Sequence, residues 1–424
     1  LNWVQATNEL SRIADREATR KCRAIAEQAL AYFKAVGDER EEAFAENQYG
    51  SCYGADPNVA ILHFRRAAAL AKAQGERQLW LAAQSNIGGN ANILGNYGEA
   101  VSILRPLFDD AAIRRDYPLN WGNLSVGLST AYLLLGDIET GLEVLNQSAE
   151  VARAQGLSYP LSGIEINRGF AYIRLGRPHE ATRYFQRGLT LAKQHGYTRN
   201  RIYAEIGLCQ VGYLTEISAA SACFRAILRE GDDLYDTYLR AVVRFNYAAA
   251  LRREGKCSAA LDALFDGLAI NRLTGNRELD ARLYGEMQVC AAQEISTAAG
   301  ISLGYRAIRL LANVRDEATN RPSLSTDRFL KSRTDIYRDL SSLLLREGRV
   351  AEVEGVVREL KADEFREFMR NTRGDPPSAS IGPVSDGLDE AVAPVGQLAA
   401  ERQQLLTKAD ALSATEAARL AELD

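Results

Sequence analysis

Glycine recurs along this chain at a nearly fixed distance, and that spacing limits the possible folds more than any other feature. Gly54, Gly95, Gly136 and Gly176 are separated by 41, 41 and 40 residues. Gly176 to Gly255 spans 79, two periods with a degenerate turn near Thr215, and Gly255 to Gly348 spans 93, two stretched periods with a degenerate unit around residues 292–311. A second series, Gly37, Gly75, Gly156, Gly196 and Gly275, interleaves with the first, and Lys34, Lys72, Arg153 and Lys193 stand shortly before four of its members. A cation in a last turn faces the negative helix pole and Gly takes the left-handed cap, so each of these glycines marks a helix end. Two such series in one period mean two helices per repeat.

The residues between the glycines supply the packing. Gly88, Gly169 and Ala248 precede their turn glycine by seven residues, and Ala100, Ala181 and Ala260 lie one turn into the following helix. Leu104, Phe185 and Leu264 follow one turn later, as Leu145 follows Gly141. Small residues let two helices approach, and the bulky residue fills the space to the neighbouring pair. A lone hairpin cannot bury its apolar face, so stacking is obligatory. The expected fold is all-α, an α-α superhelix of about eight helix hairpins over residues 1–370, followed by a linker over 371–394 and a helical connector over 395–424.

In Asn167-Arg168-Gly169-Phe170-Ala171-Tyr172-Ile173-Arg174-Leu175-Gly176, continued by Ala181 and Phe185, the Gly, Tyr, Gly, Ala and Phe positions appear in the order of the tetratricopeptide repeat. The chain resembles that family most around Gly176, well around Gly95, Gly136 and Gly255, and least around Thr215 and Ala292. Its period exceeds the usual ~34 residues, which implies longer helices, as in bacterial signalling regulators. The resemblance implies a concave wall made by first helices that holds a protein or peptide.

The junction at the end of the array, Glu359-Leu360-Lys361-Ala362-Asp363-Glu364-Phe365-Arg366-Glu367-Phe368-Met369, is followed by breaker-rich Gly374-Asp375-Pro376-Pro377-Ser378. It resembles the stretch that joins tetratricopeptide repeats to a CHAT domain, a caspase-like cysteine peptidase. That resemblance implies a regulatory array whose catalytic His and Cys lie beyond Asp424. The alternative is the sensor array of a bacterial transcriptional or signalling regulator that binds a peptide or small molecule. The chain opens at Leu1 inside a helical pattern and is expected to be a fragment.

No chemistry of its own is expected. Three histidines, His63, His179 and His195, each have a structural role in packing, a turn or a helix end, and there is no HExxH, CxxC, EF-hand or phosphate loop. Neither a metal nor a cofactor is therefore expected. Net charge is −4, so no positive field gathers nucleic acid, and no segment nears the roughly 20 apolar residues of a membrane span. Cys22, Cys52, Cys209, Cys223, Cys257 and Cys290 fall on helix faces and are expected as buried free thiols of a protein in the reducing cytoplasm.

Candidate partner-binding residues follow from position. Asn86, Asn167 and Asn246 stand nine residues before a turn glycine, where the family's residue faces the groove. An amide there can hold a peptide backbone, or it can bond within and between helices. Arg174 and Arg253, with Arg168 and Arg244 nearby, are either solvated or forks for an acidic guest. Phe170 and Phe245 are either pockets between them or core.

Overall fold

The computed structural model describes residues 16–53, 56–215, 220–231, 236–319 and 333–372, with single positions 3, 7, 329 and 415. Eighteen helices and no strand occur among these residues. They are α1 (Arg16–Val36), α2 (Glu39–Ser51), α3 (Pro57–Ala73), α4 (Arg77–Ile93), α5 (Tyr97–Asp109), α6 (Ala111–Asp116), α7 (Pro118–Leu135), α8 (Ile138–Ala154), α9 (Ser158–Arg174), α10 (Pro178–His195), α11 (Thr198–Thr215) and α12 (Ala220–Gly231). There follow α13 (Thr237–Arg253), α14 (Cys257–Thr274), α15 (Arg277–Glu294), α16 (Thr297–Thr319), α17 (Thr334–Arg346) and α18 (Val350–Thr372). The described chain forms two compact units, one through Thr237 and one from Tyr238.

The all-α hairpin repeat follows from the turn glycines. Gly37, Gly75, Gly95, Gly136, Gly156, Gly176, Gly196, Gly255, Gly275 and Gly348 all have positive φ, while Gly54 lies outside the described residues. At Gly136 (φ 85°) the Gly136 N–H donates to Leu133 O at 3.1 Å and Asp137 N–H to Tyr132 O at 2.9 Å. This closes α7 with the orphan carbonyls satisfied, in a conformation that a side chain would strain. Asp137 then caps α8 by accepting from Thr140 N–H, as Asp38 caps α2, Asp56 caps α3 and Asn276 caps α15. Helices of 17 or 18 residues on both sides of each turn from α7 to α11 account for the long period there. At the end of the array α18 continues to Thr372, into the stretch expected as linker; the rest of 373–424, apart from Thr415, lies outside the described residues.

In the first unit the small and bulky signature positions meet. A Cβ added at Gly88 would fall 2.6 Å from the Leu104 side chain, and one at Gly169 would fall 2.5 Å from Phe185. The same bulky residues also meet the next first helix: Gly127 faces Leu104 at 3.1 Å and Gly207 faces Phe185 at 2.2 Å. Leu104 and Phe185, both wholly buried, thus sit between glycines of two successive repeats.

The cysteines depart from expectation. All six pair, as Cys22–Cys52, Cys209–Cys223 and Cys257–Cys290, with Cα atoms 5.6, 5.7 and 4.9 Å apart. Each pair spans neighbouring antiparallel helices, α1 with the end of α2, α11 with α12, and α14 with α15. Helix pairing brings residues 30, 14 and 33 apart in sequence to one level, within bridging distance, without any short cysteine motif.

Asp280, half-buried, is one of the acids that make the second unit sensitive to pH. Burial pushes Asp280 up to about 6, against a bond donated by Asn271 Nδ2 at 2.7 Å. A raised carboxyl pKa means that the folded chain binds a proton more readily than the unfolded one, so stability from this group is present at low pH and lost as pH rises through about 6. Asp280→Asn is expected to raise the stability of this unit at pH 7.5 by about 1–2 kcal/mol and to flatten its dependence between pH 4 and 7. Urea titrations at several pH values check this, and an unchanged slope refutes it.

Candidate functional site

Within the first unit, the first helices of successive hairpins touch one another in the order α2, α4, α7, α9 and α11. Side-chain amides stitch this layer. Asn86 Nδ2 on α4 donates to Asn47 Oδ1 on α2 at 3.1 Å, and Asn92 Nδ2 donates to Gly127 O on α7 at 2.8 Å. Asn167 Nδ2 on α9 approaches Val126 O, Ser129 Oγ and Thr130 Oγ1 on α7, at 3.1, 3.1 and 2.9 Å. The nitrogens of Asn86 and Asn167 are therefore used between helices, which was one of the two readings open from sequence. Their side-chain oxygens accept no bond among the described residues and are not shut off from solvent. Asn246 belongs to the second unit, is 8% exposed, and donates to Val242 O of its own helix at 2.7 Å.

The other expected residues divide by burial. Arg174 and Arg253 are exposed at the ends of α9 and α13. Arg168, expected near the groove, is instead buried: Nη1 donates to Glu165 Oε1 at 3.3 Å and Nη2 to Asn146 Oδ1 at 2.7 Å. Burial lowers its pKa from the ordinary arginine value, opposed by the Glu165 charge. Arg244 is also buried, 4.0 Å from Asp266. Phe170 is half-buried with its ring edge-on to Phe185 at 5.0 Å, and so belongs to the core between hairpins. Phe245 is buried beneath the Arg282 guanidinium at 4.2 Å.

Sequence reasoning missed the chemistry of the wall between these points. Helix α7 has no charged residue in its 18 positions, and α4 has only Arg77, in a chain that is 25% charged. The partly exposed stripe of α4 is Ala82, Ser85, Asn86, Gly89, Asn90 and Ile93, and that of α7 is Asn123, Val126, Gly127, Thr130 and Leu134. A solvated helix face is normally charged, so a neutral accessible stripe is the signal that the sequence offered. Gly89 adds to it: a Cβ there would meet nothing within 4 Å, whereas neighbouring Gly88 is packed on Leu104. Leu119 and Tyr159, at the starts of α7 and α9, are 44% and 38% exposed, and Tyr159 meets Tyr197 edge-on at 5.0 Å. On the second-helix side, a shallow cleft of about 360 Å³ between α3, α4 and α5 is lined by Arg65, Lys72, Trp80, Gln84, Ile87 and Ile103 among others.

Nothing in this layer assembles a nucleophile or a metal site. His63 Nδ1 lies 2.6 Å from the buried Glu46 Oε2, and His195 stacks on Tyr197 at 5.4 Å. No group of three metal-binding side chains occurs among the described residues, and no helix among them is long and apolar enough to cross a membrane.

No protein family and no curated protein matches the chain in sequence. Solved structures do match in shape. The chain is similar to NprR in complex with its cognate peptide NprX, at 17% identity and a TM-score of 0.48 over 71% of this chain and 85% of that one. It is similar to the Rap conjugation gene regulator of plasmid pLS20 in complex with the Phr* peptide, at 12% identity and a TM-score of 0.45 over 78% and 98%. A tetratricopeptide repeat protein from Parabacteroides merdae gives 13% identity and a TM-score of 0.38 over 70% and 98%.

Proposed function

We propose that this chain is the peptide-binding sensor array of a regulator, and that it holds an extended, mainly uncharged peptide segment along the first helices α4, α7 and α9. The observation that carries this reading is the neutral, partly exposed wall of α4 and α7 with Gly89 open at its surface. Glycine inside a helix costs about 0.5–1 kcal/mol relative to alanine, and no neighbour within the chain requires it at this position. A guest backbone that approaches closely does require it. The side-chain oxygens of Asn86 and Asn167 accept from the guest's N–H groups, Leu119 and Tyr159 supply apolar contact, and Arg174 at the exposed end of α9 takes a guest carboxylate. Of the other candidates, Asn246, Arg253 and Phe170 act outside this stretch or within the core.

Peptides selected from a random display library against the full chain test the proposal. Gly89→Leu is expected to weaken the selected peptides at least tenfold while thermal stability holds or rises, since leucine favours helix and meets no clash in the free chain. Asn167→Ala is expected to cost about 1 kcal/mol of binding. A library that yields no binder, or binders indifferent to Gly89→Leu, removes this wall from the function. The peptidase-linked reading rests on the 359–369 sequence alone, and the reading frame downstream of Asp424 tests it: a domain with a His and Cys pair supports it, and any other continuation ends it.

A further inference from the structure

The three bridges differ in one respect that bears on chemistry. Cys22, Cys52, Cys257 and Cys290 are at most 2% exposed, so neither sulfur of the Cys22–Cys52 and Cys257–Cys290 bridges can be reached from solvent. In the Cys209–Cys223 bridge, Cys209 is 3% exposed but Cys223 is exposed. Thiol–disulfide exchange requires a thiolate to reach one sulfur, so access separates this bridge from the other two.

Its place in the repeat adds a second reason. The α11–α12 hairpin is the one in which Thr215 stands near the place of a turn glycine, and no glycine occurs between Gly212 and Gly231. Helix α12 is seated by Ala220, Phe224 and Ile227 in the places that Ala181, Phe185 and Gly188 hold on α10. With no turn glycine in the sequence between them, α11 and α12 are joined covalently by this bridge.

We propose that Cys209–Cys223 is a thiol-exchange site for a low-molecular-weight thiol of the glutathione class, and that its opening releases α12 from α11 while the other two bridges stay closed. The glutathione thiolate attacks Cys223 Sγ, the sulfur–sulfur bond breaks, and the electron pair leaves on Cys209 Sγ, which takes a proton. A second glutathione thiolate attacks the glutathione sulfur of the mixed disulfide, leaving Cys223 as a thiol and releasing glutathione disulfide. The protein gains two electrons and two protons, and two glutathione molecules are oxidised. The reverse reaction with glutathione disulfide closes the bridge.

The test uses the full chain with all three bridges formed, held in reduced glutathione under native conditions, quenched by alkylation and mapped by mass spectrometry. Cys209 and Cys223 are expected to open at least tenfold faster than the other four cysteines, with transient glutathione found on Cys223. Amide exchange in α12 is expected to quicken at least tenfold on opening, with α14 unchanged. A Cys209→Ser, Cys223→Ser variant is expected to show the fast α12 exchange with or without glutathione. Opening of all three pairs at one rate, glutathione found on Cys209 only, or α12 protection unaffected by opening each overturns the proposal, and all three are read on the unmutated chain.

Discussion

Phe185→Ala is expected to lower the unfolding free energy of the first unit by about 3–5 kcal/mol, the range for truncating a wholly buried aromatic residue in a well-packed core. The ring serves two interfaces at once. It closes the hairpin of α9 and α10 through Gly169, and it fills the step to the following hairpin through Gly207. Gly207→Ala should therefore destabilise the unmutated chain, because its new Cβ would lie 2.2 Å from a ring carbon and a packed ring cannot move away freely. In the Phe185→Ala background the same change should be neutral or stabilising, since the methyl group then enters the vacated space and alanine favours helix over glycine. The predicted sign change makes the pair strongly non-additive. Urea unfolding of the four proteins measures it; additive effects, or a Phe185→Ala cost under 1 kcal/mol, would show that the step between repeats is not built on this ring.

That arrangement was half legible in the sequence, and the unread half has a definite cause. Gly169, Ala181 and Phe185 stood in register with Gly176, so the first interface could be deduced from spacing. Gly207 belongs to the hairpin whose turn glycine is missing, and without that marker its register could not be set. The pairing of the cysteines is illegible in the sequence for a related reason. Their spacings of 30, 14 and 33 residues carry no local signature, and only the antiparallel pairing of neighbouring helices brings them together. Asn86 and Asn167 lie on first helices of the first unit, but spacing along one helix cannot tell a contact with the adjacent first helix from one with a guest. The neutral character of α4 and α7 is visible in their composition, but it falls at positions that the repeat spacing does not mark.

Glu165→Ala is expected to cost the first unit about 3–5 kcal/mol, because it strands a buried guanidinium. Glu165 is 2% exposed and is approached by two cations, Arg153 from the end of α8 and Arg168 from its own helix. Arg153 has a side chain 46% exposed, so its share is screened by solvent and small. Arg168 has a side chain 8% exposed and cannot turn to water, so it decides the magnitude. The helix-end cation faces the helix pole, and it has a second use that recurs in the chain. Lys34 meets Glu46 at 3.0 Å, and Arg153 meets Glu165, each across the turn from the last residues of a second helix to the middle of the next first helix. Where Gln84 takes the place of the carboxylate, Lys72 lies exposed. If burial of Arg168 sets the cost, Glu165→Leu combined with Arg168→Met should recover most of the stability that Glu165→Ala loses, since an apolar pair of similar volume leaves no charge to strand. Arg153→Ala should cost less than 1 kcal/mol. Thermal and urea unfolding of these variants separate the two cations; equal losses for Arg153→Ala and Glu165→Ala would assign the stabilisation to the turn-crossing pair and refute the role given to Arg168.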